Sequence, residues 1–119
     1  MITMITEDYV SYETAKLLKE KGFKGEFHKH YWGYENGKEF LTEGSFNPEY
    51  DYSAPTLQVT MKWLREVHNL SVEVYRTACG YVGCIVAIPN GTDIKFSGQY
   101  TKWEYACESA IKYCLKNLI

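Results

Sequence analysis

The sequence predicts an α+β fold: a mostly antiparallel sheet of about five strands with three helices packed mainly on one of its faces, in the order α-ββ-α-βββ-α. Three observations carry that prediction. Three segments place apolar residues at helical spacing and open on start signals. Two Asn-Gly dipeptides, Asn36-Gly37 and Asn90-Gly91, sit where type I′ hairpin turns would join strands. The run 81–88 (YVGCIVAI) is nearly all apolar and lies between two alternating segments, the pattern of a central strand with half-buried neighbours. At 119 residues the chain reads as a single domain over 1–119. A chain of that length buries roughly 65% of its unfolded surface, enough for one core without staples.

The first helix is expected over residues 12–21. Ser11 is the N-cap, Val10 can staple against Ala15, and Tyr12, Ala15 and Leu18 share a face. Lys16, Lys19 and Lys21 gather towards its end, as the helix dipole favours, and Gly22 supplies a left-handed C′ position with Phe23 folding back on Leu18. A two-residue turn at Asn36-Gly37 then pairs Glu35 with Lys38, Trp32 with Leu41 and His30 with Glu43. Residues 44–52 (GSFNPEYDY) read as a loop.

The second helix is expected over 55–68, capped by Ser53 or Ala54, with Pro55 in its first turn and Asn69 closing it. Leu57, Met61, Leu64 and His68 form its apolar face, Val59, Trp63 and Val67 widen it, and Gln58, Lys62, Arg65 and Glu66 make a polar strip. Strands follow over 70–77, 81–88 and 93–100, with Asn90-Gly91 pairing Ala87 with Ile94 and Ile85 with Phe96. The last helix opens on Thr101-Lys102-Trp103-Glu104, which has the form of a capping box with Tyr100 and Tyr105 as its staple.

Composition narrows the function classes. The formal net charge is −2, with both signs interspersed, so no global field attracts a phosphate backbone and nucleic acid is not an expected partner. No apolar run reaches the roughly 18 residues that cross a bilayer, and MITMITEDYV does not read as a signal peptide. A cytoplasmic location with free thiols is therefore expected, without a membrane partner. Cys79, Cys84, Cys107 and Cys114 follow C-x4-C-x22-C-x6-C, which matches no zinc pattern. Phosphate-binding glycine loops, a nucleophile elbow and H-E-x-x-H are absent, and no cofactor is predicted. The departure from ordinary usage is eleven tyrosines, whose apolar body and polar tip suit interfaces.

Two constellations are candidate sites. His28 and His30 lie on one strand face, with Glu43 opposite His30 in the predicted register; two imidazoles and a carboxylate could hold a divalent metal and leave a position for water. The competing reading is a pair of exposed histidines on an edge strand. Tyr31, Trp32, Tyr34, Phe46, Tyr50 and Tyr52 cluster in the first hairpin and the following loop. Such rings can touch a protein partner or stack single-stranded bases, and stacking calls for a basic groove. Nearby, Lys29 and Lys38 stand against Glu26, Glu35, Glu39, Glu43, Glu49 and Asp51, which favours protein. His68, at a helix C-terminus, reads as a packing or capping residue, and Cys107 and Cys114 as small core hydrophobes.

Three stretches carry a resemblance: EDYVSYETAKLLKEKGF (7–23), YSAPTLQVTMKWLREVHNLSVEV (52–74) and YACESAIKYCLKNLI (105–119). Together they resemble a family of small uncharacterised proteins found in gut anaerobic bacteria and their phages and prophages. The resemblance implies an accessory gene product working inside a bacterial cell and brings no catalytic or ligand-binding residue with it. The expected function is non-enzymatic: protein–protein binding or self-association as a homo-oligomer. The alternatives are a metal-dependent enzyme using His28, His30 and Glu43, or single-stranded nucleic-acid binding through the hairpin aromatics.

Overall fold

Ser11 begins the regular structure as the sequence suggests: its side chain accepts a hydrogen bond from the Thr14 N–H and starts α1 (Tyr12–Glu20). The structure, a computed structural model, describes residues 8–24, 29–31, 51–82 and 100–119 in full and the backbone of 41–42, 83–87 and 92–95. α1 ends in a Schellman motif. Phe23 N–H donates to the Leu18 carbonyl at 2.9 Å and Gly22 N–H to Lys19 at 3.2 Å, with Gly22 at φ +88°.

α2 (Leu57–Val67) is capped by Thr56, whose hydroxyl accepts from the Val59 N–H at 3.2 Å, not by Ser53 or Ala54. The start moves because Pro55 fixes an extended entry and Thr56 is the first residue beyond it able to accept from N3. Asn69 closes the helix in the left-handed region, at φ 56°. α3 (Trp103–Tyr113) also starts one residue later than expected: Lys102 is the N-cap, without a side-chain bond, and the capping box does not form. Tyr100 instead pairs with Tyr81 through reciprocal backbone bonds of 2.8 and 2.9 Å, and Tyr105 is exposed. A π-helical turn, Cys114–Leu118, continues α3.

The expectation of one sheet of about five strands is overturned. The described strands form two separate three-stranded antiparallel sheets. In the first, β1 (His30–Tyr31) lies between β2 (Leu41–Thr42) and β3 (Tyr52–Ser53). In the second, β5 (Gly80–Ala87) lies between β4 (Leu70–Thr77) and β6 (Thr92–Lys95). β3, from the end of the segment expected to be a loop, takes the side of β1 that a single large sheet would have needed. Ala54 N–H donating to the Lys29 carbonyl at 3.1 Å extends that ladder.

Both hairpin registers differ from those expected. β1 pairs His30 with Thr42 and Tyr31 with Leu41, one residue away from the predicted His30–Glu43 pairing. The expected two-residue turn at Asn36-Gly37 lies outside the described residues. In the second sheet Ile85 pairs with Ile94 and Ala87 with Thr92, two residues from the predicted register, so the faces are kept. β4 and β5 meet through the Ala78-Cys79 turn, after which Gly80 takes φ +139°.

The core joins both halves of the sequence. Val10, Ala15 and Leu18 meet Ala54, Leu57, Met61 and Leu64, Leu70 and Val72 of β4, and Cys107, Ala110, Ile111, Cys114 and Leu115. α2 and α3 pack on the second sheet, whereas α1 lies against β3 and α3. Val59 and Val67, expected to widen the buried face of α2, are exposed, and Thr60 is buried in their stead. Thr60 tolerates this because its hydroxyl donates to the Thr56 carbonyl at 2.9 Å. Among the described residues no helix is long and apolar enough to cross a membrane.

Candidate functional site

His30 is the described member of the predicted metal set, and it is not the exposed edge histidine of the competing reading. It sits on the central strand of its sheet and is 1% exposed, because β2 and β3 flank it on both sides. Its Nε2 lies 3.7 Å from Oδ2 of Asp51, itself 3% exposed. Burying either group alone would be costly, and placing a carboxylate beside an imidazole offsets that cost. Lys19 of α1 reaches the same place, donating from Nζ to the Asp51 carbonyl at 3.3 Å. The structure thus gives His30 a partner that sequence reading counted only as local negative charge. Position 43 is not opposite His30, and His28 and Glu43 lie outside the described residues. Among the described residues no group of three or more His, Cys, Asp or Glu side chains is placed to hold a metal.

Of the predicted aromatic cluster, Tyr31 and Tyr52 are described, and Trp32, Tyr34, Phe46 and Tyr50 are not. Tyr31 and Tyr52 are cross-strand partners on one face of the first sheet. Both meet Tyr12 of α1 edge to face, with centroids 5.6 Å apart in each pair. The Tyr31 hydroxyl donates to the Val10 carbonyl at 2.9 Å. Lys16 Nζ lies 5.5 Å over Tyr12 and Lys19 Nζ 4.9 Å over Tyr52. These half-buried rings fasten α1 to the sheet, and Tyr12, Lys16 and Lys19 join the cluster from a helix that sequence reading kept apart from it.

A densely bonded polar group was also missed. Glu108 of α3 accepts from the Ser11 N–H at 2.6 Å, from the Ser11 hydroxyl at 3.4 Å and from the buried Thr14 hydroxyl at 2.5 Å. A carboxylate at the first turn of α1 satisfies donors there and opposes the positive end of the helix dipole. No local signal announces it, since Glu108 is 97 residues from Ser11. On an adjoining side Glu13 bonds Lys112 and Lys116 at 3.1 Å each, and these two ammonium groups hold its carboxyl below the usual range.

His68 follows α2 as its C-cap, donating from its backbone to Leu64 at 3.1 Å, with its ring 4.6 Å from Trp63. Burial pushes the thiols of Cys107 and Cys114 up to about 12, with Glu104, Glu108 and Asp8 adding to the effect at Cys107. Both thiols are therefore held protonated at neutral pH, as small buried side chains of the core. Cys79, on the β4–β5 turn, is exposed.

Among the described groups His30, Asp51, Cys107 and Cys114 are turned inward, while Val59, Val67, Tyr75 and Tyr105 are large hydrophobic side chains turned out. Comparison with known proteins gives no significant match, whether among family models, curated proteins or solved structures.

Proposed function

We propose that this protein is a non-enzymatic accessory protein of a bacterial cell or of its phages and prophages, and that it acts by binding protein, self-association included. The observation that supports the reading best is the contrast between the large hydrophobic side chains left outside and the reactive groups buried within. Val59, Val67, Tyr75 and Tyr105 are 37, 58, 48 and 51% exposed, whereas His30, Asp51 and two thiols are sealed inside. An imidazole with 1% exposure offers a substrate no atom, but its pairing with Asp51 holds a strand beside α1. Outward valines and tyrosines, by contrast, are side chains whose burial stabilises an interface.

Light scattering coupled to size exclusion, combined with affinity capture from bacterial lysate, tests this reading. It expects a complex of defined stoichiometry, with itself or with another protein, that persists when His30 is replaced by Asn. A strict monomer that forms no saturable complex overturns it, as does turnover of a substrate that is lost with His30→Asn while the fold is intact.

A further inference from the structure

We propose that Lys16, Lys19 and Lys29, each with its ammonium group seated on a tyrosine ring, form a docking surface for a short acidic segment of a partner protein. The proposal rests on the protein-binding reading above and commits it to one surface and one partner chemistry.

The surface is assembled where α1 meets the first sheet. Tyr12, Lys16 and Lys19 follow i, i+4, i+7 and share one stripe of the helix. Tyr31 and Tyr52, paired across β1 and β3, both meet the Tyr12 ring of that stripe. Lys29 stands two residues before Tyr31 and so lies on the same sheet face, with its ammonium 4.5 Å from the Tyr9 ring. Tyr9 is itself tied to the neighbouring chain by its bridge to Thr56. A ring attracts an ammonium to its face and restricts its position, while the N–H donors turned away from the ring stay open to solvent. Lysines held in this way lose less freedom on binding than lysines without a contact.

Negative charge is scarce at this surface. On another side of α1, Lys112 and Lys116 close on Glu13. Among the described residues Lys16 and Lys29 form no ion pair, although Asp8 adjoins Tyr9 and Glu20 adjoins Lys19 in the sequence. Asp51, whose backbone carbonyl receives Lys19, turns its carboxyl to His30 in the interior. A positive patch on a chain of net charge −2 is therefore a local feature, and a carboxylate-bearing segment complements it.

Other polyanions fit less well. Single-stranded nucleic acid stacks its bases on open ring faces, and here ammonium groups lie over the faces of Tyr9, Tyr12 and Tyr52. A long phosphate backbone would also run from three cations onto a surface of net negative charge. Anionic membranes are held by clusters of about four to eight Lys or Arg, more than stand here.

Fluorescence anisotropy with a labelled peptide of alternating Glu and Gly, at low salt, tests the surface. Saturable one-to-one binding is expected, weakened by added salt. Lys16→Glu and Lys29→Glu should each weaken it by about fivefold or more, whereas Lys62→Glu, the same charge change on α2, should alter it by less than about twofold. Lys19 stays unaltered because it also bonds the Asp51 carbonyl. Circular dichroism separates lost binding from lost folding; if Lys29→Glu disturbs the fold, Lys29→Gln replaces it, with a smaller loss expected. No binding of the peptide, or equal weakening by Lys62→Glu, overturns the surface. Tighter binding of oligothymidine or of phosphatidylserine vesicles, lost in the same variants, overturns the choice of an acidic peptide. A protein complex or homo-oligomer that persists unchanged in Lys16→Glu/Lys29→Glu overturns the surface and leaves the protein-binding reading standing. A protein that forms no complex of any kind overturns both.

Discussion

Gly80 shows how a single position can be fixed by its surroundings. Its φ of +139° is one that side chains resist, and a Cβ placed there would lie 2.6 Å from the Tyr100 carbonyl oxygen. That oxygen accepts from the Tyr81 N–H at 2.8 Å and cannot retreat without breaking the bridge that joins β5 to the chain entering α3. Gly80→Ala should therefore lower stability by about 1–3 kcal/mol in urea titration, and Gly22→Ala, with open space around it, by less. The thiols make a second prediction. Cys107 and Cys114 hold their protons more tightly folded than unfolded, so their contribution is complete below 9.0 and is lost as pH rises through about 12. The stability advantage of the parent over Cys107→Ala/Cys114→Ala should shrink as the solution is made alkaline beyond 9.0. In a Cys79→Ser/Cys84→Ser background, an aromatic disulfide reagent should find neither remaining thiol until denaturant is added.

Among the elements, α1 depends on a distant part of the chain. Glu108→Ala would leave the Ser11 N–H and the buried Thr14 hydroxyl without their acceptor, a loss of about 1–3 kcal/mol by denaturant unfolding. Glu108→Gln should recover part of it. Helix ends written locally were legible in the sequence: Ser11 as a cap, Gly22 with its Schellman bonds, Asn69 in the left-handed region. Where a distant contact competed, legibility failed. The capping box at Thr101 yielded to the backbone pairing of Tyr100 with Tyr81, which leaves Lys102 as the last extended residue before α3. Strand β3 escaped notice because two residues are too few to show a period, and its pairing partner His30 lies over twenty residues earlier. The same gap explains the site: Asp51 meets His30 only once β3 is laid beside β1.

For the whole molecule, the α+β content with three helices followed from periodicity, but the division into two sheets did not. Two short hairpins look alike whether they share a ladder or not; the decision lies in which edge each leaves open. Here β3 and β2 occupy both sides of β1, while α2 and α3 cover the second sheet. The buried cluster nevertheless spans α1, α2, β4 and α3, so the parts unfold together. Leu64, fully buried at the centre of α2, is the test: Leu64→Ala should cost about 2–5 kcal/mol, with far- and near-ultraviolet circular dichroism signals shifting in a single coincident transition.

The Glu108 carboxylate has a consequence for biosynthesis. Translation delivers Ser11 and Thr14 long before the acid that completes them, 97 and 94 positions downstream. Until then the first helix is a nascent, fraying segment, and closing so long a loop is a slow event. A ribosome stalled ahead of codon 108 should hold a chain whose leading helix a protease still cuts; release of the finished polypeptide should remove that sensitivity.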